Sequence, residues 1–198
     1  MIILILVKKW VYKFCNLVEL CKLNFIDECK NFIYLKAIIT RNRREDKVLI
    51  ALVQKVRSGS VEVEGEIVGS IGKGFVVLVG VCKDDEPSDA IKLAEKVINL
   101  RVFEDDSGKM NLSLNDVGGE ILAVSQFTLC ANTTKGNRPS FADAMNPEDA
   151  QKIFTAFVEL LKARGIHTET GVFGAKMMVK IHNDGPVTIW LDSKAKRK

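Results

Sequence analysis

IHNDGPVTIWLDS, residues 181–193, decides how the end of this chain folds, because a strand pattern enters it and breaks at its centre. Alternating apolar residues mark a strand with one buried face. Met177, Val179 and Ile181 keep that alternation before the break, and Val187, Ile189 and Leu191 keep it after. Gly185-Pro186 stands between them. Proline has no N–H to give a ladder, and glycine weakens a strand. Two strands are therefore predicted, around Met177–Ile181 and Val187–Leu191. The pair admits two readings. One is an edge strand interrupted by a bulge. The other is a recognition element. Gly lets a ligand approach the backbone, and Pro, if cis, turns neighbouring carbonyls to one side as acceptors for a substrate ammonium. The residues alone do not choose.

Working back along the chain, Asn146-Pro147-Glu148-Asp149 opens a helix, with a good cap, Pro at its first position and acids in its first turn. Ile153, Phe157 and Leu160-Leu161 give it an apolar face, and Gly165 ends it. Ile121–Leu129 reads as a buried strand and EDDSGKMN, from Glu104, as a turn. Ser88 is the predicted cap of an earlier helix carrying Ile91, Ala94, Val97 and Ile98. FVVLVGV, Phe75–Val81, is a short apolar run, hence a buried strand. Ile50–Arg57 is another strand, and Ser60–Glu64 alternates before a turn at Gly65-Glu66. Hairpin-linked strands with two helices predict an α+β domain, its helices packed on mostly antiparallel sheet.

The first 48 residues read differently. They contain no Gly or Pro, and Phe14, Leu17, Val18 and Cys21 follow helical spacing. The expectation is an extension at 1–48 that is weakly packed or precedes the natural start, a domain at 49–193, and a basic tail at 194–198. Charge divides along the same line. Of 29 Lys/Arg and 25 Asp/Glu, ten and five fall in residues 1–48, which leaves 19 against 20 for the rest. A body with net charge −1 gives no footprint of a long nucleic-acid groove, so any RNA contact is expected to be short and local. At 47% hydrophobic and 27% charged, the chain can build a sizeable core. No apolar run reaches the ~20 residues of a membrane span, and MIILILV lacks the marks of a secretory signal. A cytoplasmic protein is expected. Cys15, Cys21, Cys29, Cys82 and Cys130 form no CxxC pair, which favours reduced thiols over a disulfide frame or zinc site.

Among candidate sites, GSIGKG (Gly69–Gly74) has the wrong spacing for a phosphate loop and a strand after it, so a hairpin turn is expected. Ser125 with His167 or His182 would make a nucleophile and base, but both histidines look like surface residues and the pairing is disfavoured. Cys130 reads as a structural thiol and not as a nucleophile. SQFTL, Ser125–Leu129, puts Ser125, Gln126 and Thr128 at the end of an apolar strand, just before the loop ANTTKGNRPSF. That is a common place for a site; a polar-faced edge strand explains it equally well.

SQFTL followed by KGNRPSF (Lys135–Phe141), FGAKMMV (Phe173–Val179) and NDGPVT (Asn183–Thr188) resembles the D-aminoacyl-tRNA deacylase family. VQKV, SVEVEGE, GSIGKGF and LRVFEDDSGKMNLSL belong to the same likeness, which runs from about Ala51 to Ser193 and has no counterpart for residues 1–48. It implies a barrel-like homodimer that hydrolyses the ester between a D-amino acid and the terminal adenosine of tRNA, and also acts on glycine mischarged onto tRNA for alanine. It implies that Gly185-Pro186 is cis, crosses into the partner's pocket and excludes L side chains, with Asn183 and Met177 also on the substrate. Ser125, Gln126, Phe127 and Thr128 would line the reaction centre, with the backbone N–H groups of Gln126 and Phe127 stabilising an oxyanion. The terminal ribose's 2′-hydroxyl would stand in for a protein base. No cofactor, metal, membrane or DNA partner is implied; the partner is the aminoacylated acceptor end. Position 130, often Tyr in this family, is Cys here and is expected to leave function unaltered. Two other readings are a catalytically idle module that binds RNA ends and a synthetase-type editing domain. The intact SQFT and Gly-Pro motifs argue against the first, and the lack of a synthetase body against the second.

Overall fold

The computed structural model describes residues 49–134 and 136–193. The extension at 1–48 with its helical spacing, Lys135, and the basic tail at 194–198 lie outside the described residues. Everything is arranged around β1 (Ile50–Val63), whose 14 residues absorb both strands predicted there. Glu64 and Gly65, both at positive φ, turn the chain into β2 (Glu66–Ile71), which runs back along β1. β3 (Gly74–Gly80) continues in the same direction. Gly59 pairs with Ile71 and Val56 with Gly74, so β2 and β3 lie end to end on one edge of β1. GSIGKG is therefore not the hairpin turn predicted: Gly72-Lys73 is a break in an otherwise continuous path.

The prediction of mostly antiparallel sheet holds around β1 and fails beyond β3. β6 (Glu120–Ser125) pairs parallel with β3, and β7 (Thr168–Thr170) pairs parallel with β6. Parallel neighbours need crossover connections. Here α1 (Pro87–Ile98) lies in one and α2 (Pro147–Ala163) in the other. A small hairpin, β4 (Phe103–Glu104) with β5 (Met110–Leu112), follows α1, its turn gathered around the Asp105 carboxylate. β7 returns beside β2: a Cβ placed on Gly69 would stand 2.6 Å from the Thr170 carbonyl oxygen. The mixed sheet thus curls almost into a barrel.

Two cores result. Phe75, Val77 and Val79 of β3 pack with Ile121 and Ala123 of β6 against Leu93 and Val97 of α1 and Phe157 and Leu161 of α2. Inside the barrel, Val76, Leu122 and Val124 meet Val56, Val61 and Ile71. Burial on both faces is why Phe75–Val81 is apolar without alternation. The helices needed one correction. Pro87 occupies the first turn of α1, so Glu86 is the cap, in a reciprocal box with Asp89, and Ser88 lies inside the helix. The buried face is Ala90, Leu93, Ala94, Val97 and Ile98, while Ile91 is 45% exposed. α2 begins as predicted, the Asn146 side chain accepting from the Asp149 N–H at 3.0 Å.

β8 (Met178–Asp192) lies on the other edge of β1 and is a single strand where two were predicted. It carries a large irregularity. Gln54 pairs with Thr188 and Val56 with Asn183, so Lys55 alone faces residues 184–187. Across it the strand changes face: Ile181 packs into the barrel core and Val187 into the helix-side core. Regular alternation would put two residues six apart on the same face. The Gly185–Pro186 peptide is cis, and Gly185 has φ +132°. A Cβ there would meet Val187 Cγ2 at 2.7 Å.

The loop is held by its neighbours. Asn183 Oδ1 accepts from the Val187 N–H at 2.9 Å, and its Nδ2 donates to Thr188 Oγ1 at 3.1 Å. Asp184 takes a hydrogen bond from Arg57 Nε at 3.0 Å and an ion pair from Lys55 Nζ at 3.3 Å. Arg57 and then Lys55 hold the Asp184 carboxyl below the usual carboxylate range. For stability Lys55 matters more. Its side chain is only 7% exposed and needs its counter-charge, whereas Arg57 is 83% exposed and screened by water.

Two predictions follow from this packing. A Cβ on Gly74 would stand 1.9 Å from the Glu120 carbonyl oxygen, which is backbone and cannot move aside. Gly74→Ala should cost about 3 kcal/mol or more in denaturant unfolding; a loss under about 1 kcal/mol would contradict the β3–β6 contact. A lowered folded-state pKa at Asp184 means stability present above its unfolded value of about 3.9 and lost as pH falls through the folded value. Asp184→Asn should melt below the wild type at pH 7, and the gap should narrow as the pH falls below about 3.9. A gap independent of pH would show that the carboxylate charge is not what holds the loop.

Candidate active site

At the C-terminal end of β6, Ser125 leaves the sheet and the chain tightens into a 3₁₀ turn, Phe127–Cys130. SQFTL is therefore a strand end plus a turn, and not the last half of a strand as predicted. Beside it opens a cavity of about 460 Å³. Ser125, Gln126 and Phe127 form one wall. Met177 with Phe173, Gly174 and Ala175, from the connection between β7 and β8, forms another. Val79, Val81, Val124 and the start of α2 at Pro147 and Ala150 make an apolar floor. Phe173 is fixed from behind by Phe154 of α2, ring centroids 6.1 Å apart. FGAKMMV was legible as a motif, but its first three residues were not singled out for the site. The floor residues were read as core, which is how their apolar pattern presents itself.

The predicted oxyanion donors need a correction. The Gln126 N–H already donates to the Val79 carbonyl at 2.7 Å, so it belongs to the sheet. Within the turn, Leu129 donates to the Gln126 carbonyl at 3.2 Å. The first N–H groups of a helical turn have no partner inside it. At this turn they are those of Phe127 and Thr128, and neither has a hydrogen-bond partner among the described residues. The Gln126 side chain donates from Nε2 to Thr128 Oγ1, which couples the cavity wall to the exposed hydroxyl.

The remaining candidates separate. His182 Nδ1 lies 2.8 Å from Ser58 Oγ, across the β1–β8 pairing, and His167 faces Glu169 at 3.6 Å. Neither partner is Ser125, so no serine–histidine pair exists at the cavity. Gly185 and Pro186 are exposed and do not line the cavity of their own chain. Asn183 has its amide engaged within the loop. Arg138 is exposed on the loop that follows the turn, where Asn132 and Ser140 pair and bring Phe141 onto Phe127. These two rings meet edge to face at 5.0 Å and are 57% and 39% exposed, Phe127 at the cavity wall. Among the described residues no three His, Cys, Asp or Glu side chains are grouped as metal ligands, and no helix is long and apolar enough to cross a membrane.

The fold and this site can be compared with known proteins. A family model described as D-Tyr-tRNA(Tyr) deacylase matches residues 52–192. Proteins named D-aminoacyl-tRNA deacylase from Fervidobacterium nodosum and Clostridium novyi are 56% and 54% identical over 144 residues, 73% of this chain and 97% of each relative. A solved structure described as c-Myc DNA Unwinding Element Binding Protein is 46% identical with a TM-score of 0.70, covering 74% of this chain and 99% of that one. Another, described as a probable eukaryotic D-amino acid tRNA deacylase, has a TM-score of 0.65 over 73% of this chain and 99% of its own; at 17% identity it speaks for the fold alone. A match that runs from one end of β1 to the end of β8 leaves one assignment: this chain belongs to the D-aminoacyl-tRNA deacylase family.

Proposed function

We propose that this enzyme hydrolyses the ester of D-aminoacyl-tRNA, and of glycine mischarged onto tRNA for alanine, releasing free tRNA and the amino acid. The observation that carries the proposal is a pair of successive N–H groups, those of Phe127 on the cavity wall and of Thr128 next to it, with no hydrogen-bond partner among the described residues. Ester hydrolysis passes through a tetrahedral oxyanion. Two fixed donors stabilise it without reorganising, and one such donor is typically worth ~10²–10³ in rate. Both histidines are engaged elsewhere, so the attacking water is activated with help from the substrate's own 2′-hydroxyl. Gln126 and Thr128 position the ester, and Ser125 and Met177 shape the pocket. The exposed Phe127–Phe141 pair offers a face on which a base at the end of tRNA can stack, a contact worth ~1–3 kcal/mol per base.

Chirality enters through exclusion. Gly185-Pro186 is exposed and does not line the cavity of its own chain. In this proposal it enters the cavity of a second copy, where its carbonyls meet the α-amino group and leave no room for an L side chain. Asn183 acts one step removed, by holding the loop. Glycine has no side chain to exclude and so passes. Residues 49–193 carry the whole activity, in the cytoplasm, and residues 1–48 lie outside the family fold.

The test is hydrolysis of D-tyrosyl-tRNA and L-tyrosyl-tRNA side by side. The D form should be consumed and the L form should persist. Equal rates on both would remove the chirality claim, and no hydrolysis of either would leave a module that only binds RNA ends. His167→Ala and His182→Ala should each keep the rate within about threefold of the wild type. A loss of the ~10²–10⁴ typical of general acid–base catalysis would restore a side-chain base.

A further inference from the structure

The two cysteines of the described fold meet behind the 3₁₀ turn. Cys130 is the last residue of the 3₁₀ turn, and Cys82 follows β3. They are 4% and 6% exposed for Cys82 and Cys130 respectively, and both sit in one small apolar cluster with Ile50, flanked by Leu129 and Ala144. Both are reduced thiols, and with Ile50 they are the buried members of that cluster. The fold thus brings together in one cluster two thiols from segments 48 residues apart by numbering.

We propose that Cys82 and Cys130 are a peroxide-responsive modification site that closes to a disulfide and slows the enzyme. The Cys82 hydrogen bond lowers the Cys130 thiol pKa, against burial and the nearby Asp85 and Asp143 carboxylates. In this proposal Cys130, at the end of the turn, is the attacking sulfur and Cys82 the resolving one. Its thiolate displaces hydroxide from hydrogen peroxide and becomes a sulfenic acid, the O–O bond breaking as the S–O bond forms. The Cys82 thiol then attacks that sulfur, the S–O bond breaks, and water leaves with the thiol proton. Two electrons pass from the two sulfurs to one peroxide, which ends as two molecules of water.

The bond would act on the site through the segments it joins. Cys82 is bridged to Ala144, and the Met145 N–H donates to the Val81 carbonyl at 3.1 Å, so Cys82 lies on the side of the cavity lined by Ala144 and Met145. Cys130 lies three residues from Phe127. A disulfide draws the sulfurs to about 2.05 Å, well inside a hydrogen-bonded contact, and so pulls the turn toward residue 82. Displacement of an aligned group by about 1 Å is enough to cost ~10²-fold in rate.

The experiment treats full-length protein with hydrogen peroxide, then maps peptides by mass spectrometry without reduction and assays D-tyrosyl-tRNA hydrolysis in parallel. A Cys82–Cys130 linked peptide should appear, 2 Da lighter than the two thiol peptides together by the loss of two hydrogens. Hydrolysis should fall at least about tenfold and return with dithiothreitol. Cys82→Ser should form no link and should keep its rate under a peroxide pulse short enough to spare the wild-type fold. Recovery of both residues as thiols, or as separate sulfinic or sulfonic acids, would overturn the site. A linked peptide with unchanged hydrolysis would overturn its coupling to catalysis. That coupling rests on the function proposed above, but the peptide map does not, so failure of one is distinguishable from failure of the other.

Discussion

β1 must serve two cores, and that constraint shapes the rest of the molecule. Its first half, Ala51 and Val53, packs toward the helices, and its second half, Val56 and Val61, packs into the barrel. A strand shows its side chains to alternate faces with a strict period of two, so Val53 and Val61 can belong to different cores only if the period slips between them. β8, paired along the same length, has to slip as well. Its slip is the Gly185-Pro186 loop. The loop is thus a consequence of the barrel's packing as well as a candidate recognition element, and the choice left open by the residues alone was not a choice between exclusive alternatives.

The slip leaves a polar group in an apolar place. Lys55, opposite the loop, is buried, and Asp184 inside the loop supplies its counter-charge. Asn183 closes the loop on itself. Packing forces the irregularity, the irregularity strands a cation, and the cation fixes the loop's position. The turn at Phe127–Cys130 arises separately. The last bond from β6 to β3 is Gln126 N–H to the Val79 carbonyl, after which the chain tightens into the turn and leaves two donors with no partner among the described residues.

Much of this was legible from residue order, where local chemistry decides. Phe75–Val79 announced a strand buried on both faces, and Asn146-Pro147 announced a helix start, because period and capping are short-range. Ser88 misled because the proline before it takes the first helical position and puts the cap at Glu86, two residues earlier. SQFTL looked like strand because Phe127 and Leu129 continue the alternation, although only Leu129 turns inward. Strand direction was invisible: β3 and β6 carry the same apolar composition whether parallel or antiparallel. The Lys55–Asp184 pair and the contribution of Phe173 to the cavity depend on residues brought together from far along the chain, and no local pattern encodes them. The resemblance put the Gln126 N–H among the oxyanion donors, where a sheet hydrogen bond to Val79 had already taken it.

The central claim is that the Phe127 and Thr128 N–H groups meet the reacting carbonyl. It is tested most directly by titrating ¹⁵N-labelled protein with a non-hydrolysable D-phenylalanyl amide of 3′-amino-adenosine and following the backbone amides by NMR. The account predicts large shifts at Phe127 and Thr128, little change at Gln126, and no such response to the L isomer. Shifts elsewhere in the fold with Phe127 and Thr128 unmoved would contradict it.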